Sequence, residues 1–234
     1  MVGEDGMSLR INRLSVRYGN LLVLDGVDLE VKGGEFVAVV GESGCGKTTL
    51  LNAIAGFIES RGSIVKPKKV GVVFQNYAVF PWLTVEENIA FGLENKNGVV
   101  QHYLEMIELE HKRDRYPFEL SGGQIQRVAL ARTMAAGPDL ILMDEPYGAL
   151  DVYTRDRMQN WLLDVWGKEK KTIVFVTHSI EEAVFLADRV LVLKDKRVRG
   201  EFHIGLERPR ARDIKFDRKF VELAKAITGS ISDC

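Results

Sequence analysis

An apolar run, Phe36-Val37-Ala38-Val39-Val40, leads directly into Gly41-Glu42-Ser43-Gly44-Cys45-Gly46-Lys47-Thr48-Thr49, and the aliphatic stretch Leu50 to Ala55 follows. Strand, glycine loop and helix in that order hold a chain to an α/β fold with a phosphate site beyond the strand end. The spacing G-x-x-x-x-G-K-T assigns a task to each residue type. Gly41, Gly44 and Gly46 are expected at positive φ, where the backbone can approach a phosphate. The amides from Gly41 through Ser43, Gly44, Cys45, Gly46, Lys47, Thr48 and Thr49 then line a nest at a helix N-terminus, whose dipole also favours an anion. Lys47 brings a cation to the β- and γ-phosphates, and Thr48 offers a hydroxyl to Mg²⁺. The expected ligand is a nucleoside triphosphate with Mg²⁺.

Three more apolar runs end in polar residues. Leu140-Ile141-Leu142-Met143 closes on Asp144-Glu145. A central parallel strand is apolar on both faces, and ligands sit beyond the carboxyl ends of such strands. Asp144 is therefore expected on the metal and Glu145 as general base for an attacking water. Thr172 to Thr177 ends at His178, placed to touch the γ-phosphate or orient the water. Alone, a histidine after a strand is more often structural. Val70 to Phe74 ends at Gln75, whose amide can hold water or Mg²⁺ but cannot act as a base.

Leu120-Ser121-Gly122-Gly123-Gln124 supplies a second glycine-flanked helix start. Ser121 is a good N-cap, and Gln124 to Ala136 is rich in helix formers. By the same physics this is a second anion site, although a capped helix alone reads identically.

With these motifs in this order, the chain resembles the ATP-binding subunit of ATP-binding-cassette (ABC) transporters over roughly residues 8 to 228. Residues 41–48 look like that family's Walker A sequence, 140–145 its Walker B and 120–124 its signature. Gln75 matches the Q-loop, Gly148-Ala149-Leu150-Asp151 the D-loop and His178 the switch histidine. Tyr18, in Arg17-Tyr18-Gly19, matches the aromatic that stacks on adenine. The resemblance implies ATP and Mg²⁺ as ligands, with Thr48, Gln75 and Asp144 around the metal. Glu145, His178, Gln75 and Lys47 are the implied catalytic set. It also implies a head-to-tail homodimer, in which Ser121, Gly122, Gly123 and Gln124, with Asp151, complete the partner's nucleotide site.

The implied fold is a single ABC ATPase domain over 1–234. It has a P-loop core with a mainly parallel sheet (about 8–75 and 138–234), an N-terminal antiparallel β subdomain, and a helical subdomain over 76–137 carrying the signature. Alternation over residues 8 to 32 predicts antiparallel strands turning at Gly19-Asn20 and Gly33-Gly34. Residues 139 to 200 are expected to resume the parallel sheet.

Composition sets limits. Lys and Arg total 32 against 33 Asp and Glu, a net charge of −1, without the basic excess of a nucleic-acid binder. No apolar run approaches the ~20 residues that span a bilayer, and Met1-Val2-Gly3-Glu4-Asp5 has no hydrophobic signal region. The expected location is cytoplasmic, peripheral on the inner membrane face. Cys45 and Cys234 are the two cysteines, so neither a disulfide framework nor a thiolate metal site is expected.

Two segments point to partners. Tyr77 to Leu83 is dense in apolar and aromatic residues where a loop is expected, which suits a protein interface or plain packing equally. By resemblance it forms a groove for integral membrane permease subunits. In the tail, Phe220, Leu223, Ala224 and Ile227 mark one apolar face of a short helix. Glu207-Arg208-Pro209-Arg210, Pro81-Trp82-Leu83 and Ile180 to Arg189 resemble the nitrate/sulfonate/taurine importer subfamily, which further implies an extracytoplasmic solute-binding protein acting through the permease. Tyr147 stands where that subfamily usually has Phe, Ser179 where it often has Asp, and the link from the P-loop helix to Gln75 is short. An export or lipoprotein-release ATPase, or a soluble non-transport relative, is the alternative reading.

Overall fold

The computed structural model describes residues 6–76, 78–93, 98–148 and 150–232. Tyr77, Ala149, Cys234 and the first five residues, which carry parts of the expectations above, lie outside them.

β1 (Met7–Tyr18) and β2 (Leu21–Lys32) pair as an antiparallel hairpin across the Gly19-Asn20 turn. The apolar spacing in β1 breaks phase, running Leu9, Ile11, then Leu14, Val16. A bulge between Ile11 and Leu14, with Arg13 at φ 49°, restores the phase, and all four side chains are buried on one face. β3 (Phe36–Val40) follows and feeds α1 (Lys47–Ala55) through the glycine loop. β4 (Arg61–Val65) adds to the other edge of β1, giving a three-stranded sheet in the order β2-β1-β4. A Cβ at Gly62 would lie 2.5 Å from the Arg13 carbonyl oxygen, so only glycine fits opposite the bulge.

The second sheet is built on β3. β5 (Val70–Val73), β6 (Leu140–Asp144), β7 (Thr172–Val176), β8 (Arg189–Lys194) and β9 (Arg197–His203) complete it in the order β5-β6-β7-β3-β8-β9. The first five are parallel. β9 is antiparallel to β8, so the stretch expected as parallel up to residue 200 turns back after Lys194 through Asp195 and Lys196, both at positive φ. That tight turn leaves no room for the crossover a parallel neighbour needs.

β3 and β7 are buried along their whole length. Alternate residues of β3 enter different cores. Val37 and Val39 join α1 and the three-stranded sheet, whereas Phe36, Ala38 and Val40 join a helical layer. That layer contains α2 (Val85–Ala90), α3 (Val99–Met106), α4 (Gly122–Ala135), α5 (Val152–Glu169) and α6 (Ile180–Leu186). α4 begins at Gly122 with Ser121 as its N-cap, as expected. Ser121 accepts from the Gln124 amide (3.4 Å) and the Gln124 side chain accepts from the Ser121 amide (3.1 Å). This capping box makes Gln124 the third helical residue.

The tail is fastened by arginines. Arg210, buried, donates through Nη1 to the carbonyls of Val184, Phe185 and Ala187 at the C-terminal end of α6. These are oxygens that the helix itself leaves unpaired. Burial first, then neighbouring Arg208, brings its pKa down to about 10. Arg208 pairs with Asp188 at 2.8 Å and lies 4.3 Å over the Trp166 ring. α7 (Arg218–Ser232) then packs on α6, β8 and β9 with Phe220 and Ile227 buried, as its periodicity predicts, while Leu223 and Ala224 are half-buried.

The segment after Gln75 is held by Asn88, which is wholly buried on α2. Its Nδ2 donates to the carbonyls of Phe80, Leu83 and Thr84, and its Oδ1 accepts from the Phe80 amide at 2.9 Å. Asn88→Ala strips these buried groups of partners. It should cost about 2–4 kcal/mol, from an unsatisfied-group penalty of ~1–3 kcal/mol plus lost packing. Urea unfolding at constant m-value measures it, and a loss under about 0.5 kcal/mol would mean that water replaces the amide.

Candidate functional site

The parallel register brings the strand ends level. Val39 of β3 and Asp144 of β6 are both opposite Val176 of β7, so the glycine loop, the Asp144-Glu145 pair and Thr177-His178 emerge at one edge. The Glu145 amide donates to the Val176 carbonyl at 2.9 Å, and the Thr177 amide to Val39 at 3.2 Å.

The three loop glycines do not share one reason. Gly44 and Gly46 take φ of 80° and 108°, as expected. Gly41 does not adopt positive φ. A Cβ there would lie 2.3 Å from the Leu193 carbonyl oxygen and 2.8 Å from the Cys45 Sγ, so steric contact with β8 demands glycine. Cys45 is half-buried, and burial raises its thiol pKa. That agrees with its reading as a small residue of the loop.

Lys47 is buried at the start of α1, and its Nζ donates to the carbonyls of Gly41 and Glu42, each at 2.9 Å. The Thr48 hydroxyl donates to Asp144 Oδ1 at 3.2 Å. Burial raises the Asp144 carboxyl pKa, and the Thr48 hydrogen bond only partly offsets it. Glu145 has φ 42°, uncommon for a residue with a side chain. Its Oε2 lies 2.9 Å from His178 Nδ1. Gln75 is exposed in the turn after β5, and a Cβ on Gly148 would lie 3.4 Å from its amide nitrogen. Gln75 therefore faces the loop that follows Glu145.

A cleft of ≈ 340 Å³ is lined by Ser43, Gly44, Gly46, Lys47, Thr48 and Thr49, with Glu145 at one side and Val23 of β2 at the other. A second, of ≈ 360 Å³, continues from Ser43, Gly44 and Cys45 towards Leu21, Leu22 and Lys196. Tyr18, 49 % exposed, stands at the hairpin turn beside this second cleft's wall without lining either space. Val23 and Lys196 were not evident from the sequence, because no local motif marks them. A larger cleft, lined by Arg17, Asp25, Glu59 and Arg61 among others, lies on the outer sheet and contains none of the glycine-loop residues.

The signature residues gather elsewhere. Ser121 and Gly122 are exposed at the start of α4, and neither they nor Gln124 lines the glycine-loop clefts. Gly123 is buried: a Cβ on it would meet Thr154 of α5 at 2.7 Å, and one on Gly122 would meet Leu150 at 3.3 Å. Lys112 donates to Gln124 Oε1 at 3.1 Å and adds positive charge to this helix start, another contribution no motif announces. Asp151 caps α5 by accepting from the amides of Tyr153 and Thr154, and Thr154, through its side chain first and then its amide, lowers the Asp151 pKa. The structure thus separates two clusters: the glycine loop with Asp144, Glu145 and His178, and the signature turn with Leu150, Asp151 and α5.

The ABC transporter family model matches residues 24–148. The taurine import ATP-binding protein TauB of Jannaschia sp. is 39% identical over 253 residues, covering 96% of this chain and 94% of that protein. The aliphatic sulfonates import ATP-binding protein SsuB of Bacillus thuringiensis is 41% identical over 218 residues, 86% of each chain. Among solved structures, a dimeric ATP-binding cassette in a post-hydrolysis state with ADP and Pi superposes with a TM-score of 0.72. It is 31% identical, and the match covers 85% of this chain and all of that one. The cbiO1 protein of Clostridium perfringens, part of an ABC transporter complex, gives a TM-score of 0.79 at 26% identity, over 92% and 93% of the two chains. Glycine loop, carboxylate pair and signature turn therefore lie on a cassette whose relatives span its length, and the chain belongs to the ABC transporter family as one of its ATP-binding ATPase subunits.

Proposed function

We propose that this ATPase powers a small-solute importer of the nitrate/sulfonate/taurine type by closing as a head-to-tail homodimer beneath a separate membrane permease. The observation that carries the reading is the separation of two anion-attracting helix starts, α1 and α4, within one chain. Each is half a site if a second copy supplies the other half. The relatives named for taurine and sulfonate import support the direction and the solute class. An extracytoplasmic solute-binding protein belongs to the same reading. So does the division into a nucleotide-binding core (about 8–75 and 138–234) and a helical subdomain (76–137).

In this reading the loop amides from Gly41 to Thr49 wrap the phosphates and Lys47 exchanges its carbonyl partners for phosphate oxygens. Tyr18 supplies an aromatic face to adenine. Mg²⁺ fits the donor set: Thr48 and Asp144 present hard oxygens 3.2 Å apart, and the burial that raises Asp144 is relieved by a cation. Such an ion takes few protein ligands and completes its shell with phosphate and water. Bound there, the ion would neutralise charge on the phosphates, with Thr48, Asp144 and Gln75 as the residues that would hold it. Glu145 accepts the proton of the attacking water, and His178, hydrogen-bonded to it, fixes its orientation and meets the γ-phosphate. Ser121, Gly122, Gly123, Gln124 and Asp151 face the partner's nucleotide.

The permease surface is the aromatic segment. Trp82 is 69% and Phe91 53% exposed, while Phe80 packs between them and lies 5.0 Å under Arg132. Large exposed aromatics held rigidly suit an interface. Among the described residues no helix is long and apolar enough to cross a membrane, so membrane association comes through the permease.

Replacing Glu145 by Gln should keep ATP affinity and lower turnover on the order of 10²–10⁴-fold, the usual cost of losing a general base. Purified variant assayed for ATPase and nucleotide binding decides it, and near-normal turnover would remove Glu145 from that role.

Cysteines placed at Ser43 and Ser121, with Cys45 and Cys234 changed to Ser, should crosslink two chains and only with ATP present. Bonds formed within one chain would refute the shared site.

Trp82→Asp should abolish permease co-purification and transport while basal ATPase stays within about two-fold, because surface changes away from the site cost little stability. A folded variant that still binds and drives its permease would return this segment to ordinary surface.

A further inference from the structure

Glu182 is a carboxylate that the chemistry above does not use. It is 6% exposed and is the only buried acid among the described residues. A buried carboxylate is costly unless partners replace its water. Two do so here, and each leads to a different loop of the site. Oε2 accepts from the Thr177 hydroxyl at 2.7 Å. Thr177 precedes His178, and its oxygen also accepts from the Ser179 amide at 3.0 Å, so the hydroxyl brackets the histidine on both sides. Oε1 faces Arg155 of α5, with Nε 3.6 Å away. That Nε is buried and has no other partner.

The arginine continues the chain of contacts. Its Nη2 donates to the Leu150 carbonyl at 3.0 Å, immediately before Asp151. Leu150 and Thr154 are the side chains against which Gly122 and Gly123 of the signature turn pack. On the other side, His178 reaches Glu145. A single carboxylate thus touches the histidine loop directly and the Leu150-Asp151 loop through one guanidinium.

We propose that Glu182 is a positioning residue that ties the loop of His178 to the loop of Asp151. A shift of His178 on loss of the γ-phosphate then passes through Thr177, Glu182 and Arg155 to the start of α5 and the signature turn packed on it. This rests on the ATP-sandwich reading above and adds the route by which one site informs the half-site on the same chain. Glu182 itself touches no nucleotide.

The test compares three variants of the full chain. Thr177→Val deletes one hydroxyl, Glu182→Gln keeps an acceptor but removes the charge facing Arg155, and Arg155→Gln cuts the arm to Leu150. Each should lower kcat about ten-fold or more, since small misplacements of catalytic groups cost on the order of 10²-fold. KM for ATP should change by less than about three-fold, because the phosphate-binding loop is untouched. Combining Thr177→Val with Glu182→Gln should be no slower than the slower single variant, as members of one chain of contacts are not additive. The ring resonances of His178, one of four histidines, should move in Thr177→Val and Glu182→Gln but not in Trp82→Asp.

Full turnover in folded Thr177→Val and Glu182→Gln would overturn the proposal. So would kcat losses that merely track lost thermal stability along the line set by Asn88→Ala, which would make Glu182 structural. If Glu182→Gln does not fold, Thr177→Val decides alone. An unaltered chain without ATP turnover would remove the functional reading and this inference together. An active chain with indifferent variants removes only the inference.

Discussion

The site depends on the parallel register of three apolar strands. With Val39 and Asp144 both level with Val176, Gly41, Glu145 and His178 must emerge together, although more than a hundred residues separate the first from the last. A one-residue slip of β6 would turn Asp144 to the other face and carry Thr48's partner away. The register is held because the strands are buried on both faces, so that a slip would misplace every side chain in two cores at once. Burial at about 25 cal/mol per Å² of apolar surface makes that prohibitive for these largely apolar strands.

Around this edge, polar groups are matched to one another. Lys47 is satisfied by loop carbonyls, Asp144 by Thr48, and Glu145 by His178. In the proposed reading each bond is one that a nucleotide or its metal would replace. The raised Asp144 pKa has burial as its chief cause, only partly offset by the Thr48 hydrogen bond. The left-handed Glu145 is likewise strained, a residue held where isolated glutamate rarely sits by the hydrogen bond that its amide donates to the Val176 carbonyl.

Much of this was legible in the sequence because it is local. The glycine loop, the apolar runs and the Ser121 cap rest on residues within a few positions of one another, and the observed strands and helix starts follow them closely. The errors fall where distant residues decide. Gly41 reads as a torsional glycine but is required by the Leu193 carbonyl on a strand 150 residues later. β9 reads as a continuation of the parallel sheet, and only the two-residue turn at Asp195-Lys196 reverses it.

Glu182 marks the limit of such reading. At the sequence level it is one of two acids in the first turn of a helix, where negative charge favours the N-terminal dipole and calls for no further account. Its neighbour Glu181 has the same local credentials. What separates them is the direction of the helix face, which turns Glu182 inward to Thr177 and Arg155 and leaves Glu181 exposed. That difference arises from packing α6 against β3 and α5, contacts that exist only once the sheet has formed. Residues that bind the nucleotide are fixed by chemistry common to any phosphate loop. Residues that connect one loop to another are fixed by this fold's own geometry, and only the assembled structure can identify them.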